Sequence, residues 1–301
     1  FYYITCNVAL TVTRPLGLLW ARFFNHFNIH PNVVTILSII LGAAAGIMFY
    51  FTDLTHTIIG ILLLVWANLY DSADGQLARM TGKKTRWGRI LDGFAGDVWF
   101  FTIYAAICLR LQATDIPFTT IKWGVWIWLL AALSGFIFHG KQCALADYYR
   151  NIHLFFIKGK SGSELDNSVK LRQELKSLSW KEDGMWLVFL YFYANYNHSQ
   201  EQMTPHFQAF RQQIMERFGD APVPTTLVQA FRQGSLPLIK YANILTFNTR
   251  AIVLYIVLLL GQPWLYFVFE IVVMGLLFLF MRAKHESLCQ RLTQELQQGK
   301  Y

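Results

Sequence analysis

Six apolar stretches, each near the roughly 20 residues a helix needs to cross a bilayer, constrain this chain more than any other feature. They run at about 33–52, 57–79, 90–110, 121–140, 238–260 and 263–281. Inside hydrocarbon every backbone N–H and C=O must be satisfied within the element, so runs of this length are expected to be helices. Only 15% of the 301 residues are charged, against about 25% in a soluble domain. The 25 Phe, 14 Tyr and 10 Trp suit a chain that meets lipid and its interfaces. The expected fold is an all-α membrane protein with six transmembrane helices.

The basic residues orient the spans. Arg14 and Arg22 precede the first; Lys83, Lys84, Arg86 and Arg89 lie between the second and third; Arg282, Lys284, Arg291 and Lys300 follow the last. The connections at 53–56 and 261–262 carry no Lys or Arg, and the one at 111–120 is bordered only by Arg110 and Lys122. By the positive-inside rule both termini and the 80–89 loop are cytoplasmic. The net charge of +8 admits nucleic acid as a partner. Its placement at helix ends favours membrane lipid or a phosphate-bearing substrate, and no nucleic-acid partner is expected.

Two segments do not read as spans. Residues 8–27 mix Leu, Trp and Phe with Arg14 and Arg22, as in a helix lying along the interface. Residues 150–236 are polar, with helical patches near 163–178 and 200–217 and a turn at 221–224. Their apolar run Met185–Ala194 is too short to cross and reads as the core of the insertion or an interfacial contact. The chain thus divides into an N-terminal interfacial segment at 1–30, spans 1–4 at 31–149, a helical cytoplasmic insertion at 150–236, and spans 5–6 with a tail at 237–301. Cys6, Cys108, Cys143 and Cys289 stand singly, without a CxxC pair, and read as packing residues. The chain opens on Phe1 rather than Met, so the true N-terminus is expected to lie upstream, and no cleavable signal peptide is read in it.

The chemistry concentrates at the end of the second span. Asp71, Asp74, Gly75 and Ala78 share one helix face at i, i+3, i+4 and i+7. Two carboxylates ending an apolar helix are costly unless neutralised, and an oxygen-rich site suits Mg²⁺ or Mn²⁺. Gly75 and Ala78 leave that face open to a flat group, and Arg79 supplies a cation beside it. Asp92, beyond the basic loop, is placed to complete a metal cage. The competing reading is a helix end that has reached water, with solvated carboxylates.

These residues resemble the signature of the CDP-alcohol phosphotransferase family, D-x2-D-G-x2-A-R-x8-G-x3-D-x3-D. Asp71, Asp74, Gly75, Ala78, Arg79, Gly88 and Asp92 stand at the required spacings. The last position departs: Gly96 occupies it and Asp97 follows. Pro31-Asn32-Val33-Val34-Thr35 resembles the Pro-Asn-x-x-Thr segment that opens the first span in that family. The resemblance implies a transferase that uses a CDP-activated donor and an alcohol acceptor, releases CMP, and depends on Mg²⁺, with Mn²⁺ able to substitute. Asp71, Asp74 and Asp92 are then metal ligands. Asp71, Gly75, Ala78, Arg79, Gly88, Thr85, Pro31, Asn32 and Thr35 are implied on the nucleotide or diphosphate side.

The family's last aspartate is thought to bind metal and to deprotonate the acceptor. Asp97 inherits both roles if a π-turn after Asp92 swings it into place, an insertion such sites favour, and Gly93 and Gly96 make the backbone pliable there. Otherwise Asp97 is a packing or supporting residue. Lys141, Arg150, Asn243 and Arg250 are acceptor-binding candidates. Lys141 and Arg150 equally suit lipid headgroups, and Arg250 equally suits a structural pair with Glu270.

The motif serves either direction of transfer. CDP-diacylglycerol can donate to a polar alcohol such as inositol or inositol phosphate, or a CDP-linked headgroup can donate to diacylglycerol or ceramide. An ion transporter and a non-catalytic lipid-binding relative are the readings of another class. Family members are often homodimers, and the small-residue face at Gly42 and Gly46 is compatible with one.

Overall fold

The computed structural model describes residues 12–158, 165–219 and 221–301. Cys6 and the part of the interfacial segment before residue 12 lie outside them. The described residues are overwhelmingly helical, with a lone β-bridge between Asp115 and Lys122. In chain order the helices are α1 (Arg14–His26), α2 (Pro31–Met48), α3 (Leu54–Thr81), α4 (Arg86–Leu111), α5 (Gly124–Ala132), α6 (Gly140–Lys158), α7 (Ser168–Ser177), α8 (Trp180–Met203), α9 (Pro205–Phe218), α10 (Thr225–Ile244), α11 (Phe247–Leu259), α12 (Trp264–Phe269) and α13 (Gly275–Gln297). Leu133–His139 and Glu270–Met274 are π-helical. Six helical runs among the described residues are long and apolar enough to cross a membrane: Pro31–Met48, Leu54–Thr81, Ile90–Leu111, Gly124–Ile157, Thr225–Leu259 and Trp264–Gln297. The chain is an all-α, multi-pass membrane protein.

It divides into two compact units, Phe1–His139 with Phe247–Val272, and Gly140–Thr246 with Val273–Tyr301. In the first unit the hairpin of α3 and α4 is set by its ends. Asp53 caps α3 by accepting the His56 amide at 3.0 Å. Gly82, at φ 69°, closes the helix in the left-handed conformation a Cβ resists. Thr85 caps α4 by accepting the Gly88 amide at 2.9 Å. The small residues of α2 are spent within the chain. Gly42 seats the indole ring of Trp99, whose Nε1 donates to the Ser38 carbonyl at 3.0 Å, and Gly46 abuts Thr102. The small-residue face at Gly42 and Gly46 thus packs against α4 within the chain. α1 lies on α3: a Cβ at Gly17 would stand 2.6 Å from Ser72 Oγ, and Gln76 donates to the Arg14 carbonyl at 3.0 Å. Leu16, Leu19, Phe23 and Phe27 of α1 stay exposed, the apolar face an interfacial helix presents to lipid.

In the second unit α6, α9, α10 and α13 pack around Phe156, Phe210 and Phe231. The rings of Phe156 and Phe231 stack at 4.0 Å between centroids. Gly234 makes room for Leu288. The patch expected at 163–178 contains α7, and the one at 200–217 contains α9 together with the end of α8. The run Met185–Ala194 lies inside α8, where Leu190 and Ala194 are buried against Leu171. The fifth apolar run begins earlier than expected, because α10 starts at Thr225 and continues through Pro237. Gln229, Arg232 and Gln233 mask it from a hydropathy reading, although Leu227, Phe231 and Ser235 are buried at helical spacing.

Candidate active site

Asp71 and Asp74 stand in the last turns of α3, and Asp92 in the second turn of α4. One carboxylate oxygen from each lies within 4.8 Å of the other two. Asp74 is buried, Asp71 half-buried and Asp92 exposed, so the cluster opens from protein interior to surface. The segment at the start of α2 reaches both helices. Thr35 donates its hydroxyl to Asp74 Oδ2 at 2.5 Å. Asn32 lies against Gly88, where a Cβ would meet its Oδ1 at 3.3 Å. Pro31 holds the first-turn position that tolerates a missing N–H. Arg79 folds its guanidinium back toward Gly75, 3.5 Å from where a Cβ would be. Ala78 is half-buried, and Thr85 spends its hydroxyl on capping α4. Residues 39 and more positions apart thus meet at one place.

The donor set is oxygen-only: three carboxylates, one of them steadied by a hydroxyl. Like charges this close repel, and a hard divalent cation is the partner that such a set accepts. The residues fit Mg²⁺ or Mn²⁺.

The π-turn expected after Asp92 is not there. α4 is α-helical from Arg86 to Leu111, and a Cβ at Gly93 or Gly96 would meet open space. On a regular helix Asp97 sits about 140° round from Asp92. It stays outside the 4.8 Å acidic cluster. Asp97 shares its face with Phe100 and Tyr104, and its carboxylate interacts with His139. The rings of Phe100 and His139 are 4.3 Å apart.

The π-helical segments Leu133–His139 and Glu270–Met274 contribute to a buried polar network, of which the sequence offered only the Arg250–Glu270 pair. Glu270, fully buried, accepts from Arg250, from His139 Nδ1 at 2.8 Å and from Tyr266 at 2.9 Å on one oxygen. Its other oxygen accepts from Ser134 at 2.6 Å and from Tyr104. Arg250 is 0% exposed, which makes the Glu270 pair, rather than an open acceptor pocket, its place in this structure. Lys141 and Arg150 are exposed and Asn243 half-buried, all three in the second unit. The one available sequence signal for the network was ionisable residues inside apolar runs.

Fold and site define a multi-pass α-helical membrane protein with an acidic, oxygen-donor centre at a helix hairpin. Residues 28–156 match the model of the CDP-alcohol phosphatidyltransferase family. The chain is 32% identical over 111 residues to an archaetidylinositol phosphate synthase of Pyrococcus horikoshii, covering 36% of this chain and 57% of that protein. It is 28% identical over 105 residues to a bifunctional IPC transferase and DIPP synthase of Aquifex aeolicus, covering 35% and 22%. An uncharacterised Aquifex aeolicus protein is 39% identical over 71 residues, covering 24% and 35%. The chain therefore spans between 22% and 57% of the length of these relatives. No solved structure matches.

Proposed function

We propose that this protein transfers a substituted phosphate from CDP-diacylglycerol, or a lipid of that class, to a polar alcohol of the inositol or inositol phosphate kind, releasing CMP. The observation that carries the reading is the meeting of Asp71, Asp74 and Asp92, within 4.8 Å, beside Thr35 of the α2 segment. The name of one relative, an archaetidylinositol phosphate synthase, supports the acceptor class.

Asp71, Asp74 and Asp92 would hold Mg²⁺, with Mn²⁺ a substitute; when bound, the ion offsets charge on the phosphoryl oxygens and on departing CMP. Thr35 keeps Asp74 oriented. Gly75 and Ala78 leave the α3 face low enough for the nucleotide, Arg79 pairs with its diphosphate, and Asn32, Thr85 and Gly88 border it. The acceptor oxygen attacks phosphorus, the bond from phosphorus to the CMP oxygen breaks, and CMP leaves with that electron pair. With no π-turn to bring it in, Asp97 is a supporting residue, and the acceptor's proton passes to water at the exposed end of the cluster. Lys141, Arg150 and Asn243 remain the candidates for binding an acceptor phosphate. The charge pattern puts the site on the cytoplasmic side.

The test is purified protein with Mg²⁺ and either radiolabelled CDP-diacylglycerol or a CDP-linked headgroup as donor, against inositol, inositol phosphate, glycerol phosphate, serine and lipid alcohols. CMP release with an inositol-class acceptor is expected. Release only with a CDP-linked headgroup and a lipid alcohol would reverse the direction. Asp74→Asn should abolish turnover without loss of folded protein, and surviving activity would remove the metal cage.

A further inference from the structure

A second group of potential metal ligands lies in the other unit, on α13. A ring nitrogen of His285, a carboxylate oxygen of Glu286 and Sγ of Cys289 lie within 4.8 Å of one another. They are 2%, 7% and 0% exposed. His and Cys at i and i+4 share a helix face, as two ligands of one ion must. Burying a carboxylate is costly, and Glu286, with the Phe207 amide and the Arg282 cation also near it, still has one oxygen without a hydrogen bond. Its Oε2 accepts the His206 amide at 2.7 Å, while Oε1 has no hydrogen-bond partner. The Tyr149 hydroxyl, also buried, has none either, and its ring stacks on His285 at 3.8 Å. His285 Nε2 is likewise unpartnered, so nothing but the thiol competes for the imidazole.

The geometry suits a tetrahedral ion. Bonds of about 2.05 Å to nitrogen and 2.3 Å to sulfur, at the tetrahedral angle, put those two donors about 3.6 Å apart. His285 Nδ1 and Cys289 Sγ stand 3.6 Å apart. A thiol–imidazole hydrogen bond also fits that separation, but it leaves Glu286 Oε1 and the Tyr149 hydroxyl unsatisfied.

We propose that His285, Glu286 and Cys289 form a binding site for a thiophilic divalent cation of the zinc class, separate from the aspartate centre. The nitrogen–oxygen–sulfur donor set selects a borderline-soft ion over Mg²⁺. On binding, the Cys289 sulfur–hydrogen bond breaks, the sulfur–metal bond forms and the proton passes to solvent. A neutral imidazole, a carboxylate, a thiolate and a divalent ion then sum to zero charge, which a buried site favours. The fourth position falls to water or to the Tyr149 hydroxyl. Because Glu286 also holds the first turn of α9, the ion ties α13 to that helix.

The full chain, purified in detergent, stripped with chelator and kept in Mg²⁺, is titrated with Co²⁺. The expected result is a thiolate-to-cobalt charge-transfer absorption that saturates at about one ion per chain and is displaced by Zn²⁺. Zn²⁺ should raise the unfolding midpoint. Asp74→Asn should keep the absorption, Cys289→Ser should lose it, and Glu286→Gln should weaken binding at least about tenfold. Because Cys289→Ser risks misfolding, X-ray absorption on zinc-loaded wild-type protein gives an independent reading. One sulfur with nitrogen and oxygen donors supports the site; oxygen donors alone overturn it. Absence of the charge-transfer absorption in folded wild-type protein, or its survival in folded Cys289→Ser, also overturns it.

Discussion

Thr35 and Asp74 meet through a 2.5 Å hydrogen bond that joins the first turns of α2 to the end of α3. The hydroxyl occupies one lone pair of a buried carboxylate and so aims the remaining ones. Thr35→Val keeps the shape and removes the donor. Supports of this kind are worth about 10- to 100-fold in metal affinity. The Mg²⁺ concentration for half-maximal CMP release should rise by about that factor, and Thr35→Ser should restore it. An unchanged Mg²⁺ titration in Thr35→Val would show that the bond does not orient Asp74.

Asp97 and the three clustered aspartates should separate kinetically. Asp97→Asn is expected to leave both kcat and the Mg²⁺ requirement near wild type, because Asp97 lies outside the acidic cluster on a regular helix. Asp92→Asn should shift the Mg²⁺ requirement itself. If Asp97→Asn also raised the Mg²⁺ requirement, Asp97 would belong with the metal ligands after all. A loss of kcat of about 100-fold or more in Asp97→Asn would make it the base.

The Arg250–Glu270 pair is buried on both sides. Removing one partner strands the other's charge or donors, at about 3–5 kcal/mol. Arg250→Met alone should lower the thermal unfolding midpoint in detergent sharply. Arg250→Met with Glu270→Leu should recover part of the loss, since no charge is then left unpaired. Equal destabilisation by the single and double variants would show that packing, not pairing, holds this region.

Gly42 leaves no room for a side chain over the Trp99 ring. Gly42→Val should destabilise by about 1–3 kcal/mol, as overpacking does, and should shift the Trp99 contribution to fluorescence. An unfolding midpoint equal to wild type would mean that α2 and α4 separate without cost.

Asp53 is held below the usual carboxylate range, first by the His56 amide it accepts. A depressed folded value means that the cap stabilises α3 above the unfolded pKa of about 3.9 and loses that contribution as pH falls through the lower folded one. Amide exchange at His56 should therefore accelerate below about pH 4, relative to a neighbouring helix start, and Asp53→Asn should flatten that step.

Local spacing made the spans and the three aspartates readable from residues alone. Hydrophobic runs need only length, and Asp71, Asp74 and Gly75 fall on one face by the helical period. The reading of Asp97 went further and placed a π-turn after Asp92, but α4 stays regular. Glycine permits such a distortion; only packing compels one.

Folding decided what distance along the chain conceals. Nothing local joins Thr35 to Asp74, gathers Ser134, His139, Arg250 and Tyr104 around Glu270, or turns the Gly42 face toward Trp99. His285, Glu286 and Cys289 are neighbours on α13, but only the packing of α9 on that helix buries them and brings the His206 amide to Glu286. Such groupings follow from low-dielectric burial: each polar atom taken out of water must find a partner from another helix, and the tertiary arrangement selects which one.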